Sequence, residues 1–169
     1  MADSPAGGGA QQGAPGAAPI TVHAQYVKDL SFENPRSPES LMSQSTPQLS
    51  LDIKVRARPI EGRTYEVALV IEADAKTEQN EAIFILELVY GGVFTLGEIQ
   101  EEHVGPLLLI ECPRLLFPFA RAIVANLTRE AGFPPLNIAP VDFVALYRQQ
   151  LDAAGGAIPG VPTGPVGHA

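Results

Sequence analysis

Basic residues are scarce in this chain. Its 169 residues include 11 Lys and Arg against 19 Asp and Glu, which gives a formal net charge of −8. Binding to nucleic acid or to anionic lipid needs Lys and Arg, so neither function is indicated. The first basic residue is Lys28, and a signal peptide needs a basic start, so none is predicted. The acidic balance favours a basic partner or a basic client chain.

Cysteine and long uncharged hydrophobic runs are also scarce. Cys112 is the one cysteine, which excludes an intramolecular disulfide and makes a reducing cytoplasm the default compartment. The most apolar stretch is "VGPLLLIECPRLLFPFARAIVANLT" (104–128). Glu111, Arg114 and Arg121 divide it into pieces far shorter than the roughly 18 residues of a membrane span. We therefore predict no direct membrane insertion.

The sequence offers no motif for catalysis or metal binding. The histidines lie in unrelated contexts: His23, His103 and His168. A nucleophilic cysteine needs a nearby base, so Cys112 is interpreted as a partly buried structural thiol. The CxxC, HxxxH and HExxH patterns are missing, and Gly91-Gly92 lacks the context of a phosphate loop. We predict no catalytic residue, metal or cofactor.

The two ends of the chain have a composition that disfavours a packed core. Residues 1–19 consist mostly of Ala, Gly, Pro and Gln, and residues 155–169 are rich in Gly and Pro. Both segments are predicted to be disordered tails. The folded domain is therefore predicted to span residues 20–154.

The first half of that domain has the period of β-strands. Apolar and polar residues alternate in residues 20–32, 49–60 and 64–74, which predicts three antiparallel strands that each have one solvated face. In residues 82–96 both faces are apolar, so this fourth strand is predicted to be covered on both sides. Gly91-Gly92 is predicted to end it or to form a bulge. A long loop is expected between the first two strands.

The second half has the period of helices. An apolar stripe predicts one helix from Leu115 to Ala131, with Pro113 near its start and Pro118 distorting or delaying its first turn. A second helix is predicted from an N-cap at Asp142 to Gly155-Gly156. The acidic residues before the first helix are interpreted as a solvated turn: Glu98, Glu101 and Glu102.

Four strands followed by two helices predict an α+β fold in which one antiparallel sheet is covered on one face. Two helices cannot cover both faces of the fourth strand, so symmetric oligomerisation is expected. The excess apolar surface has two interpretations. It is a core between identical subunits, or part of it stays open to bind extended apolar peptide, and the two are compatible.

Four segments carry a resemblance to a known family: "YVKDLSFENP" (26–35), "YGGVFTL" (90–96), "IECPRLLFPFAR" (110–121) and "GFPPLNIAPVDFVALY" (132–147). Together they resemble SecB, the bacterial protein-export chaperone family. The similarity covers about residues 20–152, which is essentially the predicted domain.

The resemblance implies a homotetramer built as a dimer of dimers. It implies a holdase that binds unfolded precursor proteins in the cytoplasm and delivers them to the SecA motor of the translocon. Such a protein uses no nucleotide or metal of its own and is not an enzyme. Some relatives also contact SecA through a partly basic C-terminal tail, but residues 155–169 contain no Lys or Arg, so that contact is not carried over.

The resemblance also assigns roles to residues. The implied SecA-binding surface is Asp29, Glu33, Ile85 and Glu87. The implied client-binding groove is Phe32, Phe84, Leu86, Leu88, Tyr90, Phe94, Leu96, Phe143 and Tyr147. The implied subunit interface is Leu116, Phe119, Ile123, Val124 and Leu127. The alternatives are that the carboxylates are ordinary surface charges and that the groove residues are core.

Two other classes of function stay open. One is a dedicated chaperone or antitoxin adaptor on the same fold, which would serve a single partner. The other is an enzyme or small-ligand protein, which would show a polar pocket containing Cys112 beside a histidine.

Overall fold

The computed structural model describes residues 19–158 and 160–162. The predicted tail at residues 1–19 lies outside the described residues apart from Pro19. Of the predicted tail at residues 155–169, position 159 and residues 163–169 also lie outside them.

Four long strands form one antiparallel sheet: β1 (Ile20–Glu33), β2 (Gln48–Glu61), β3 (Thr64–Lys76) and β4 (Ala82–Leu96). Their order across the sheet is β1-β4-β3-β2, so β1 and β2 are its two edges. The prediction of an α+β fold with a four-stranded antiparallel sheet is confirmed. The loop predicted between β1 and β2 contains a short helix, α1 (Glu39–Met42).

The sheet register defines an inner face, which packs on the helices, and an outer face. On β3, Val67, Leu69 and Ile71 point inward and are fully buried. On β4 the outward-pointing residues Ile85 and Glu87 are exposed. The helices therefore cover the inner face alone, whereas the sequence predicted that both faces of β4 are covered. On β3 the predicted solvated face is wrong in part, because the outward-pointing Glu66, Ala68 and Val70 are buried among their neighbours on the sheet.

The prediction that Gly91-Gly92 ends or bulges β4 is wrong, because the strand runs without a break to Leu96. A Cβ atom at Gly92 would lie 2.7 Å from the Phe94 ring and 3.0 Å from Leu116. Glycine is needed here so that an aromatic ring and a helix can approach the sheet closely.

The predicted first helix begins much earlier than Leu115. Helix α2 (Glu101–Pro106) leads through a π-helical segment (Leu107–Glu111) into α3 (Cys112–Glu130). The two glutamates predicted to form a solvated turn, Glu101 and Glu102, occupy the first turn of α2. Acidic side chains there interact favourably with the positive end of the helix dipole.

Proline explains the π-helical segment. Pro113 has no N–H, and in a regular α-helix its ring would clash with the carbonyl four residues earlier, that of Leu109. Instead, the Cys112 N–H donates to the carbonyl of Leu107, five residues back. This wider turn lets the helix continue through Pro113, and it brings Leu108, Leu109 and Ile110 into the core.

Helix α4 (Phe143–Ala153) begins where the sequence predicted. The Asp142 carboxylate accepts a 3.0 Å hydrogen bond from the Ala145 N–H, so it is the N-cap. At the other end Gly155 and Gly156 adopt positive φ angles of 67° and 93°. The Gln150 side chain donates a 3.0 Å hydrogen bond to the Val55 carbonyl and so joins α4 to the edge strand β2.

Helices α2 and α3, with the π-helical segment between them, cover the inner face. Their inward side chains include Val104, Leu108, Cys112, Ala120 and Val124. Within the described ranges, no helix combines the length and the apolarity needed to cross a membrane.

Candidate functional site

The outer face brings together the four residues predicted to bind SecA. On β1, Ser31 pairs with Glu87 of β4 and Glu33 pairs with Ile85, while Asp29 pairs with Val89 one row away. Because side chains alternate between faces, Asp29, Glu33, Ile85 and Glu87 all point outward. The register therefore brings segments more than 50 residues apart in sequence into one patch.

The structure extends this patch with three carboxylates that the sequence reasoning missed. Glu72 of β3 pairs with Glu87, Asp74 pairs with Ile85, and Asp52 of β2 pairs with Glu72. We call this set the acidic patch: Asp29, Glu33, Asp52, Glu72, Asp74, Ile85 and Glu87. Strand parity in β2 and β3 places these residues on the outer face. Which of them lie side by side across neighbouring strands depends on the strand register, and the sequence does not give the register.

Lys54 partly neutralises one side of the acidic patch. Its Nζ lies 2.7 Å from Asp52 Oδ2 and 3.3 Å from Glu72 Oε2. These ion pairs are exposed and contribute little to stability. Glu87 and Glu72 face each other across β3 and β4 as like charges. Their mutual repulsion makes the patch favour a basic partner.

The other half of the outer face has a different character. Glu66 is 4% exposed, and three side chains surround it. Lys28 Nζ donates hydrogen bonds of 2.8 and 2.9 Å to its two oxygens, Tyr26 Oη donates one of 2.5 Å, and the Arg58 Nε–H donates another. Burial disfavours the charged form of the carboxylate and by itself would raise its pKa. The hydrogen bonds from these donors together have the larger effect, and they lower the pKa of Glu66 to about 2.

Burial and the Glu66 hydrogen bond raise the pKa of Tyr26 to about 12. This network joins β1, β3 and β2 across the outer face. Arg56 lies in the neighbouring row, opposite Ala68. Cations thus collect at one end of the outer face, and the acidic patch occupies the other.

The residues predicted to line the client groove are mostly core. Leu86 and Leu88 have no exposed area in the protomer. Five others are also buried: Phe84, Tyr90, Phe94, Leu96 and Phe143. The strand residues among them pack beneath the helices on the inner face, and Phe143 of α4 packs on Phe117 of α3. In the protomer these residues offer no open surface to a client. Phe32 and Tyr147 are half-buried, and they are the members of the predicted set that stay accessible.

The residues predicted at the subunit interface divide between two sides of α3. Leu116 and Val124 are fully buried against the sheet. Phe119 is 53% exposed, and Ile123 and Leu127 are half-buried. The helical stripe in the sequence could not separate the side that packs on the sheet from the side that faces away.

Phe119 belongs to a larger apolar surface. Its ring centroid lies 6.5 Å from that of Tyr90, in a stacked arrangement, and Tyr90 pairs with Val27 of β1. Other exposed apolar residues lie on β1 and at the start of α3. We call this surface the β1–α3 patch: Val22, Val27, Leu30, Leu115 and Phe119.

Two further surfaces of the protomer carry accessible apolar side chains. Leu49 and Leu51 are exposed on its inner face, at the end away from Gln150; these two residues form the β2 patch. A cavity of about 510 Å³ lies between α2, α4 and the residues that follow α4. We call it the α2–α4 groove, and its helical lining consists of Glu101, Glu102, Gly105, Tyr147 and Leu151.

The surroundings of Cys112 do not suit a nucleophile. The residue has no exposed area, and burial together with the Glu111 charge raises the pKa of its thiol to about 12. His23 lies at the surface against the Thr95 hydroxyl, at 2.7 Å, and His103 lies at the surface beside Glu102. Among the residues that the structure describes, no three His, Cys, Asp or Glu side chains group as metal ligands would.

Comparison with known proteins gives one consistent family. Residues 13–154 match the family described as "SecB: Preprotein translocase subunit SecB". A "Protein-export protein SecB" from Bradyrhizobium sp. strain BTAi1 is 53% identical over 147 residues, which covers 85% of this chain and 90% of the relative. The protein of that name from Granulibacter bethesdensis is 49% identical, covering 82% and 89% of the two chains.

Among solved structures, the fold is similar to that of a Mycobacterium tuberculosis SecB-like chaperone in complex with a ChAD peptide from an antitoxin. The TM-score is 0.57 at 17% identity, and the match covers 75% of this chain and 93% of the other. At this identity the likeness shows the shared fold.

Proposed function

The chain belongs to the SecB family, and from this membership we propose that it is an ATP-independent holdase for protein export. It binds unfolded precursor chains in the cytoplasm, keeps them competent for translocation and delivers them to SecA. The observation that carries the proposal is the combination, on a SecB fold, of an acidic sheet face with separate exposed apolar surfaces.

 

The acidic patch is the proposed SecA-binding surface. It holds six carboxylates, and Ile85 is its one apolar residue. They come from all four strands, so a rigid sheet fixes their spacing. Charges arranged in this way speed up association with a basic partner and orient it. Ile85, which lies among these charges, adds an apolar contact with the partner.

The two remaining accessible apolar surfaces are the proposed client-binding region. The β2 patch and the α2–α4 groove lie on the helix-covered side of the sheet, away from the acidic patch. A client held there leaves the proposed SecA surface accessible. Each ~100 Å² of apolar area that a client buries contributes roughly 2.5 kcal/mol before entropy costs. Several weak sites on one oligomer then add up to tight capture of a long chain.

The β1–α3 patch supports the proposed homotetramer. It combines an edge strand, which has unpaired backbone groups, with exposed aromatic and aliphatic side chains on a neighbouring helix. An exposed combination of this kind favours pairing with an identical surface around a two-fold axis. The predicted interface residue Phe119 lies within this patch, whereas Leu116 and Val124 act in the core of the protomer.

The proposal includes no catalytic step. The Cys112 thiol is buried and holds its proton at neutral pH, which does not favour a nucleophilic role. Release of the client is instead driven by contact with SecA. The peptide bound by the structural neighbour comes from an antitoxin, but the relatives that share about half of this sequence are export proteins. These relatives favour the general export role over a dedicated one.

Native mass spectrometry with and without an unfolded precursor tests this function directly. We expect a tetramer that gains the mass of one precursor chain and that slows its refolding at one tetramer per chain. Unchanged refolding and aggregation of a slow-folding precursor would contradict the holdase. Tight binding of a single client, with none for other unfolded chains, would favour the dedicated chaperone instead.

A further inference from the structure

The chain folds back on itself after α4. Gly155 and Gly156 have positive φ angles, and they turn the backbone away from the helix axis. Beyond this turn Ile158 and Val161 are half-buried and pack against the hydrophobic core. The Val161 N–H donates a 3.2 Å hydrogen bond to the Ile158 carbonyl, which forms a compact turn. We call Ile158 and residues 160–162 the C-terminal segment.

Val161 contacts the helices at the α2–α4 groove. A Cβ atom placed on Gly105 of α2 would lie 3.0 Å from Tyr147 Oη and 3.4 Å from Val161 Cγ1. The valine methyl and the tyrosine hydroxyl therefore both lie over a position where glycine leaves room. Ile158, Val161 and Pro162 all line the remaining cavity. The C-terminal segment thus covers part of the surface between α2 and α4 and forms one side of the cavity that remains.

Gly160 holds the C-terminal segment against the edge of the sheet. Its φ angle is 81°, and a Cβ atom there would lie 2.1 Å from the Ala57 carbonyl oxygen on β2. Both the dihedral angle and the close approach require glycine. Two contacts of different kinds, Val161 on the helices and Gly160 on β2, therefore fix the position of the segment.

The C-terminal segment has the chemistry of a client. Residues 153–169 contain no Asp, Glu, Lys or Arg. The segment presents the apolar side chains of Ile158 and Val161 without any charge, and the proposed function requires the groove to bind apolar side chains of this kind. Such a segment, tethered next to its own groove, has a high effective concentration there.

We propose that the C-terminal segment is a built-in competitor that occupies the α2–α4 groove until a client displaces it. The inference rests on the proposed holdase function, and it adds a minimum apolarity that a client segment needs in order to bind. Chains that offer a stronger apolar segment displace the competitor, whereas weakly apolar chains do not. A groove that is open for about one tenth of the time binds a client about tenfold more weakly than a permanently open one.

Two substitutions in the full-length protein release the C-terminal segment. Gly160→Val introduces the clash with the Ala57 carbonyl, and Val161→Ser removes the apolar contact without adding charge. The probe is a short, uncharged, fluorescently labelled peptide rich in Leu, and its binding is followed by anisotropy. We expect both variants to bind it more tightly, by up to about tenfold. A chain that ends at Gly164 keeps the segment and serves as the matched control, with unchanged affinity.

A second measurement reports on the segment itself. In protein with labelled Val methyl groups, we expect a nuclear Overhauser effect between Val161 and the Tyr147 ring, and its loss when the peptide is added. The inference is overturned if this contact is missing in the protein alone or persists at saturating peptide. It is also overturned if both variants bind the peptide with unchanged or weaker affinity.

The two proposals fail in distinguishable ways. If the protein binds the peptide and unfolded precursor but the Val161–Tyr147 contact persists, clients use another surface and the holdase function stands. If neither the protein nor the two variants bind any peptide or precursor, the holdase function fails and the competitor has nothing to compete with.

Discussion

The Tyr26 hydroxyl donates a 2.5 Å hydrogen bond to Glu66 Oε1, although the two residues lie on β1 and β3 with β4 between them. Gly91 of β4 makes this possible. A Cβ atom there would lie 3.1 Å from the Tyr26 ring, so the ring lies directly over the glycine. Lys28 reaches the same carboxylate. An edge strand is thereby joined to the centre of the sheet by side chains as well as by backbone.

Replacement of Glu66 by Gln should destabilise the protein. The change leaves Lys28 and Arg58 without their carboxylate, and both cations are partly solvated, which limits the loss. We expect the free energy of unfolding to fall by about 1–2 kcal/mol in urea titrations at fixed protein concentration. Glu72→Gln is the matched control on the same strand, and its exposed ion pair with Lys54 should change stability by less than about 0.5 kcal/mol. Equal effects of the two substitutions would contradict the network.

The Glu66 network also predicts how stability depends on pH. The pKa of Glu66 is lowered in the folded protein to about 2 from 4.5 in the unfolded chain. Its contribution is therefore present in full above the unfolded pKa and is lost as the pH falls through the folded value. Between about pH 5 and pH 2, the wild type should lose about 2–3 kcal/mol more than Glu66→Gln. Parallel pH profiles for the two proteins would show that Glu66 has an ordinary pKa.

Gly92→Ala should overpack the core beneath α3. The added methyl group would lie 2.7 Å from the Phe94 ring, which is fully buried and cannot move into solvent. We expect a loss of about 1–3 kcal/mol in the free energy of unfolding. Val93→Ile, on the opposite face of the same strand, adds a methylene group away from α3 and should be nearly neutral. A stable Gly92→Ala protein would mean that Phe94 and Leu116 adjust easily.

Glu87→Lys should weaken SecA binding and leave client binding intact. The substitution reverses one charge at the centre of the acidic patch, so association should slow most at low salt. Glu72→Lys tests the part of the patch that the sheet register adds, and we expect the same direction of change. Asp152→Lys, on exposed α4, is the charge-matched control. Binding can be measured by surface plasmon resonance, and parallel loss of SecA and client binding would mean that the patch has a structural role.

Phe119→Asp should break the proposed assembly. The ring is exposed in the protomer and stacks on Tyr90 at the centre of the β1–α3 patch. Assembly would bury the introduced carboxylate between two apolar patches without a partner, and the free-energy cost of burying an unpaired charge is large. Native mass spectrometry should therefore show smaller oligomers at micromolar concentration. Arg148→Asp, exposed on α4, is the control and should leave the mass unchanged. A tetramer that survives Phe119→Asp would place the interface elsewhere.

The sequence predicted the strands well because their signal is local. Alternation in β2 and β3 depends on which neighbours face the core, and a period of two reports this directly. The interior of the helical region was harder to predict. Pro113 and Pro118 normally mark helix starts or breaks, so the sequence placed the helix start too late. A π-helical turn accommodates Pro113, and that adjustment depends on packing against the sheet.

For the candidate site residues, local sequence patterns indicate the face of the sheet but not the burial. The positions of Ile85 and Glu87 on one face follow from strand parity. Leu86 and Leu88 are equally apolar whether they line a groove or a core, so their composition could not distinguish the two. The helices cover both residues completely, so in the protomer both belong to the core. The same ambiguity applied to the stripe on α3, where Leu116 is core and Phe119 is exposed.

The sequence by itself determined the four strands, the second helix with its Asp142 N-cap, the acidic balance and the family. Each of these is encoded in local periodicity, composition or contiguous motifs. Only the tertiary structure decided which carboxylates share a row, which apolar residues remain exposed, and that Tyr26 reaches Glu66 across Gly91. These features depend on strand register and on helix placement, which arise from contacts between residues far apart in the chain.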